Sequence, residues 1–212
     1  YSPPGQRVRG LYVTVNRFYA SVLNVVKEDI RRSLLKRRRS LPEKKIRHLE
    51  NEVNSLLIDE LQKRDLKKLL LFKSIDYEPS INKTLEFAWL QDIKVYIPKI
   101  ISKKEIIINR IKENSSLCKN MYGIDESDEV ETSELYEIDT AVLPFVGVDK
   151  NGFRLGYGGG YYDRFFSRSH ELSEKPFIIG LGYAFQVLEI SFAESHDLKC
   201  DSVITEKGVL KF

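Results

Sequence analysis

The chain has 212 residues, 42% of them hydrophobic and 11% aromatic, enough to bury one sizeable core. Its 34 Lys and Arg against 31 Asp and Glu leave a net charge of only +3, so no global field demands a nucleic-acid or membrane partner and any electrostatic function must be local. No apolar run approaches the roughly 18 to 20 residues that span a bilayer, and Cys118 and Cys200, far apart and without CxxC or His at ligand spacing, read as free thiols of a reducing compartment.

No acidic residue precedes Glu28, whereas Arg7, Arg9 and Arg17 are basic. Such composition is transit-peptide-like, but an ordinary basic helix is the plainer reading. The expected location is the cytoplasm, with a mitochondrion or other organelle as the alternative if the basic start is the remnant of a targeting segment. Val15, Tyr19, Val22, Val26, Ile30 and Leu34 recur at helical spacing and predict an amphipathic helix over residues 15–38, with Lys27 and Arg31 on one face. Ser40-Leu41-Pro42-Glu43 resembles a capping box ahead of a second helix, whose stripe is Ile46, Leu49, Val53, Leu56, Leu57 and Leu61. The run Arg31-Arg32 with Lys36-Arg37-Arg38-Arg39 could contact nucleic-acid phosphates. Cations at a helix C-terminus are equally favoured by the dipole and need no partner, and no RNA-binding or helix-turn-helix signature accompanies them. Nucleic acid is therefore not an expected partner.

Beyond the helices come short apolar runs at residues 69–72, 95–97, 105–108, 141–146, 177–181 and 202–205, most of which read as buried strands. Helical segments at 85–90 and 161–169 lie between some of them. This alternation predicts an α/β fold, doubly wound, with a mainly parallel sheet flanked by helices and an N-terminal helical segment. Residues 1–26 read as an N-terminal extension and the start of the first helix, and 27–212 as a single α/β domain. The stretch 112–137 contains the acidic GIDESDEVE and predicts a long surface loop bordering a site.

Five glycines, Gly152, Gly156, Gly158, Gly159 and Gly160, lie between the strand predicted to end near Val146 and the helix predicted to begin near Tyr161. A strand-loop-helix crossing presents backbone N–H groups and the helix N-terminus at the sheet's carboxyl edge, where phosphates bind. Glycines let the backbone approach the anion, and Arg154 adds a forked cation. A Gly-rich hairpin turn without a ligand is the alternative on composition. RLGYGGGYYD has no Gly-Lys-Ser/Thr ending and no strand-proximal GxGxxG. The residues alone therefore lead to an anion site and stop there.

The longer segment LPFVGVDKNGFRLGYGGGYYDRFF, followed by IIGLGYAFQ and ESHDLKCDSVITE, resembles the signature of the 5-formyltetrahydrofolate cyclo-ligase family, also called methenyltetrahydrofolate synthetase. Upstream, Lys27-Glu28-Asp29-Ile30-Arg31 is similar to that family's Lys-x-x-x-Arg helix, and Glu78 with Val95-Tyr96-Ile97-Pro98 fits its pattern of strand, acid and Ile-Pro. The resemblance spans roughly residues 27–206, far more than one short motif of the kind that misleads.

The resemblance implies ATP- and Mg²⁺-dependent cyclisation of 5-formyltetrahydrofolate to 5,10-methenyltetrahydrofolate through a phosphorylated formyl intermediate, by a cytoplasmic monomer with a small folate as its partner. It assigns Lys27, Arg31, Arg154, Gly156, Tyr157, Gly158, Gly159, Gly160, Tyr161 and Tyr162 to ATP. Glu78, Tyr122 and Lys73, with Tyr162 again, fall to the folate substrate, and Asp163 and Asp197 to the metal. Each has a plainer reading: a solvated helix face for Lys27 and Arg31, a dipole charge for Asp163, a surface turn acid for Asp197 and core packing for the aromatics. The sequence departs from the family pattern at Phe145, where glycine follows the strand proline and a bulky ring is expected to narrow the folate pocket. It departs also at Val148, Ser127, Phe192 and Lys73. Two rivals follow: a catalytically silent homologue that keeps a folate or nucleotide site, and the nucleic-acid binder already set aside.

Overall fold

The computed structural model describes residues 4–167 and 175–212, with side chains from residue 21 onward. The predicted Val15 and Tyr19 of the first stripe, the arginines before residue 21, and residues 168 and 169 of the last predicted helix lie outside those limits.

Helix α1 (Pro4–Arg39) is longer than its periodicity predicted. Its packed side chains are Lys27, Leu34 and Arg38, while Val22 and Val26 are exposed, so the buried stripe is rotated from the apolar one. Helix α2 (Glu43–Gln62) buries Ile46, Leu49, Val53, Leu57 and Leu61, as its spacing predicts. Complete burial of Val53 and Leu57 stabilises the docked helix by about 1.5 to 3 kcal/mol each. The expected capping box is not formed: Pro42 takes the N-cap position without a side-chain bond, and the Ser40 hydroxyl donates to the Arg37 carbonyl at 2.8 Å.

There follow β1 (Lys68–Leu70), α3 (Asn82–Leu90), β2 (Lys94–Ile100) and β3 (Ile106–Ile111). The expected long loop is instead a hairpin, β4 (Leu117–Lys119) and β5 (Asp125–Ser127), leading to a 3-10 turn at Leu135–Glu137. Asn120 closes that hairpin by accepting from the Tyr122 and Ile124 amides at 2.8 and 3.1 Å. The chain continues through β6 (Thr140–Pro144), a small hairpin of β7 (Gly147–Val148) and β8 (Arg154–Leu155), α4 (Tyr161–Phe166), β9 (Phe177–Leu181), β10 (Ser202–Thr205) and β11 (Gly208–Lys211).

Seven strands form one sheet in the order β11-β10-β9-β6-β1-β2-β3. The five inner strands are parallel and both edge strands antiparallel, which fits the predicted mainly parallel sheet. Alternate residues serve opposite faces. Leu69, Val142, Ile179 and Ile204 join α2 and α3 in one cluster, whereas Leu70, Ala141, Leu143, Ile178 and Val203 join Phe166 of α4 in the other. Because the chain runs from β1 outward to β2 and β3 and returns to β6 on β1's other side, the order reverses at β1, and a crevice opens at the carboxyl ends there.

The β7–β8 hairpin, absent from the sequence reading, intervenes between β6 and the glycine loop. Buried Asp149 organises it, accepting from the amides of Asn151 at 2.8 Å, Phe153 at 3.0 Å and Phe192 at 3.4 Å. Gly152 belongs to this turn rather than to the loop beyond it. Gln186, from the downstream IIGLGYAFQ stretch, donates to the carbonyls of Phe145 and Val146 at 2.8 Å each, satisfying backbone that leaves the sheet.

Phe145 does not narrow a pocket. Its ring is 1% exposed, and a Cβ placed on Gly182 would lie 2.4 Å from its Cζ. Gly180 on the neighbouring strand β9 and Gly182 just beyond its end make room for the ring inside the core. The basic run at the end of α1 is mostly exposed, as cations at a helix C-terminus can be, but three of its members have partners within the chain: Arg39 meets Asp76 at 2.7 Å, Arg37 stacks on Phe185, and Arg38 is buried against Tyr157. Both cysteines are free, Cys118 exposed and Cys200 buried. Among the described residues no helix is long and apolar enough to cross a membrane.

Candidate active site

A cavity of about 1020 Å³ opens at the carboxyl ends of β1, β2 and β6 and runs along the α4 face. All the residues that the sequence reading assigned to ATP, folate or metal line it. Each arrives by a different local device.

Lys27 and Arg31 come from one face of α1. Lys27 is 3% exposed and its ammonium meets Glu194 at 2.7 Å and Asp197 at 2.6 Å. Burial alone would push this ammonium's pKa down; the two carboxylates outweigh it and hold it above the usual lysine value. Arg31 donates from Nε to the Gly156 carbonyl at 2.8 Å and pairs with Glu28 at 2.6 Å, so the helix is fastened to the glycine loop.

The loop itself spans residues 156–160. Gly158 has φ +99° and Gly160 φ +63°, the left-handed region that a side chain resists, and Gly160 passes directly into the first turn of α4. A Cβ on Gly158 would sit 3.8 Å from the Arg31 guanidinium carbon, an ordinary van der Waals contact, so the positive φ and not a lack of space is what favours glycine there. Arg154 lies beneath the loop, 4% exposed, donating to the Pro144 carbonyl and to Asp163 Oδ1 at 3.3 Å each, with its guanidinium 5.0 Å from the Tyr162 ring centre. Its buried Nε has no hydrogen-bond partner. Asp163 Oδ1 also accepts from the Leu198 amide at 3.2 Å. Burial pushes the Tyr162 phenol's pKa up, still further from neutrality than that of an ordinary tyrosine.

At the other end, Glu78 follows β1 through a tight turn in which Asp76 and Tyr77 both adopt left-handed backbone, φ +50° and +61°. Each such non-glycine residue costs on the order of 1 to 3 kcal/mol, and the turn is held by Ser74 donating to the Pro79 carbonyl at 2.7 Å and the Glu78 amide donating to the Ile75 carbonyl at 2.8 Å. The result is a nearly inaccessible carboxylate, 3% exposed, that accepts from Tyr157 at 3.0 Å and from the Ile75 amide at 3.1 Å. Burial raises its pKa to about 7, against the pull of Arg38 and the two hydrogen bonds. Lys73 lines the cavity nearby, and Tyr122 reaches across from the β4–β5 hairpin to Tyr161, hydroxyl to hydroxyl at 3.4 Å.

Two participants escaped the sequence reading. Glu194 completes the acid pair on Lys27, and Arg38 backs Glu78 and Tyr157. Arg38 was visible in principle: Lys27, Arg31, Leu34 and Arg38 recur at four, three and four positions, which is one helix face. Tyr157 also sits differently from its companions, because its hydroxyl points to Glu78 rather than along the glycine loop.

A model of the 5-formyltetrahydrofolate cyclo-ligase family matches residues 24–206. The chain belongs to that family. A 5-formyltetrahydrofolate cyclo-ligase of Mycoplasma pneumoniae is 30% identical over 183 residues, covering 85% of this chain and 99% of the relative. Among solved structures, the 5,10-methenyltetrahydrofolate synthetase of Aquifex aeolicus superposes with TM-score 0.76 at 30% identity, covering 88% of this chain and 92% of that one. The corresponding synthetase of Mycoplasma pneumoniae gives 0.70 at 28%, over 85% and 98%. The cyclo-ligase match thus extends over six of the seven strands of the sheet, all but β11, and over every cavity-lining segment described above.

Proposed function

We propose that this cyclo-ligase family member converts 5-formyltetrahydrofolate to 5,10-methenyltetrahydrofolate at the expense of ATP, with Mg²⁺. The observation that carries the reading is the convergence on one cavity of three cations, a glycine loop, two carboxylates and, at the far end, a buried acid. A formamide oxygen is a poor leaving group, and ATP supplies the phosphoryl group that makes it a good one. Attack by the folate's N10 on the activated carbon then closes the ring and phosphate leaves.

The chain's own residues mostly position and neutralise, as phosphoryl transfer requires. Lys27 and Arg31, with the backbone from Gly156 through Gly158, Gly159, Gly160 and Tyr161 to Tyr162, hold phosphate oxygens. Arg154 supports the loop from below, and its unpartnered Nε fits an anion-binding role. Glu78 accepts hydrogen bonds from pterin N–H groups, Tyr122 stacks against the folate, and Lys73 and Tyr157 border it.

Asp163 and Asp197 suit Mg²⁺ in a specific sense. Among the described residues no three His, Cys, Asp or Glu side chains form a cage. One or two carboxylates with phosphates and water completing the shell is how Mg²⁺ commonly binds beside a nucleotide. Asp163 Oδ2 lies outside the bonds made by Oδ1. Asp197 holds Lys27 and would share its carboxylate between the two cations. We place the work of this enzyme in a reducing compartment, the cytoplasm first, and as a monomer; its free thiols accord with the former.

Incubating the purified protein with 5-formyltetrahydrofolate, Mg²⁺ and ATP, while following the ultraviolet absorption of the methenyl product, tests the reading. Product that appears only with ATP supports it, and none at all sinks it in favour of a silent binding homologue.

A further inference from the structure

Among the described residues Arg38 is the largest fully buried side chain. It does not line the cavity; it stands behind two residues that do, Glu78 and Tyr157. Nη2 donates to the Tyr157 hydroxyl and reaches Asp76 at 3.4 Å, while Nη1 lies 3.9 Å from Glu78 Oε1. Its Nε and Nη1 have no hydrogen-bond partner. A buried guanidinium so incompletely paired is a poor stabiliser, and an apolar side chain of similar size would commonly serve the fold as well. Its placement therefore calls for another explanation.

We propose that Arg38 is a positioning residue for Glu78: from behind the cavity wall it holds the carboxylate charged and, with the Tyr157 hydroxyl between them, aimed at the folate. The inference rests on the assignment of Glu78 to folate made above. The groups facing Glu78 are Arg38 from α1, Asp76 from its own turn, Tyr157 from the glycine loop, Tyr162 from α4 and Tyr183 beyond β9. Of these Arg38 is the only cation. The burial that lifts the carboxyl to about 7 would, without Arg38, lift it further, leaving a neutral acid that presents an O–H donor of its own and accepts N–H bonds more weakly.

The experiment reads Glu78 directly. Protein labelled with ¹³C at glutamate side-chain carboxyls is titrated over about pH 5 to 9, the Glu78 resonance being assigned by its loss in Glu78→Gln. Arg38→Met should raise the midpoint by about one pH unit or more, a factor of ten in proton affinity. Tyr157→Phe, which keeps the ring and removes only a hydroxyl, should raise it less and serves if Arg38→Met does not fold. The KM for 5-formyltetrahydrofolate should rise about tenfold at a pH where wild-type Glu78 is ionised, with the KM for ATP little changed, and Arg38→Lys should restore part of the loss. An unmoved midpoint in the variants that fold overturns the inference, as does a moved midpoint with an unchanged folate KM. Failure of the underlying folate assignment shows separately, as unaltered 5-formyltetrahydrofolate binding by Glu78→Gln.

Discussion

Lys27 and Asp197 are 170 positions apart in sequence, yet the lysine ammonium and the aspartate Oδ2 lie 2.6 Å apart, with Glu194 at 2.7 Å completing the cluster. The first helix is thereby locked to the loop after β9. Replacing Lys27 by Met leaves two carboxylates facing each other without their cation. The expected result is a loss of about 1 to 3 kcal/mol in stability by urea titration, smaller than for a sealed pair because both acids are partly exposed, and a KM for ATP raised about tenfold or more. Unaltered ATP dependence would remove Lys27 from the nucleotide site.

Asp163→Asn keeps an oxygen for Arg154 and the Leu198 amide while deleting the charge. The Mg²⁺ concentration for half-maximal turnover should rise about tenfold or more, while the melting temperature moves by less than about 4 °C. Unchanged Mg²⁺ dependence would assign Asp163 to structure alone.

Glu78 gives a pH prediction with a definite sign. Its folded pKa of about 7 lies above the ordinary 4.5, so the folded state binds this proton more tightly than the unfolded chain. The associated stability is present below about pH 4.5 and is lost as pH rises toward 7. Glu78→Gln removes this dependence. The stability of the variant relative to wild type should improve by on the order of 3 kcal/mol between about pH 4 and pH 8, measured by denaturant midpoints at each pH. A constant difference across that range would refute the raised pKa.

In the core, Gly182→Ala should destabilise by about 1 to 3 kcal/mol, because its methyl meets the Phe145 ring. Made in a Phe145→Leu background, the same change should be milder, and a double-mutant cycle in urea measures the coupling. Additive effects would mean that the ring and the glycine do not share one volume.

The sheet was legible because strands buried on both faces leave uninterrupted apolar runs, as at Leu69, Leu70, Leu71 and Phe72. The second helix showed itself through the same chemistry at helical spacing. The first helix misled, since periodicity equates buried with apolar, and here the buried face carries Lys27 and Arg38. The hairpins at residues 117–127 and 147–155 have strands of only two or three residues, fixed by side-chain bonds from Asn120 and Asp149, which no apolar pattern records. The residues proposed for the site could be picked out one by one through their motifs, and they line one cavity. The closure of Lys27 on Glu194 and of Arg38 on Tyr157 was not, because those partners come from distant parts of the chain.

Helix α1 also acts as a ruler. Lys27 and Arg38 are eleven residues apart on one unbroken helix, about 16 Å along its axis at 1.5 Å per residue. One points to the acids at residues 194 and 197, the other to the wall behind Glu78. A single residue inserted between them would turn the later cation by about 100° and carry it off its partner while leaving the earlier one in place. Substitutions are therefore easier to accommodate in this segment than changes of length, and the spacing between the two ends of the cavity is set by the pitch of one helix.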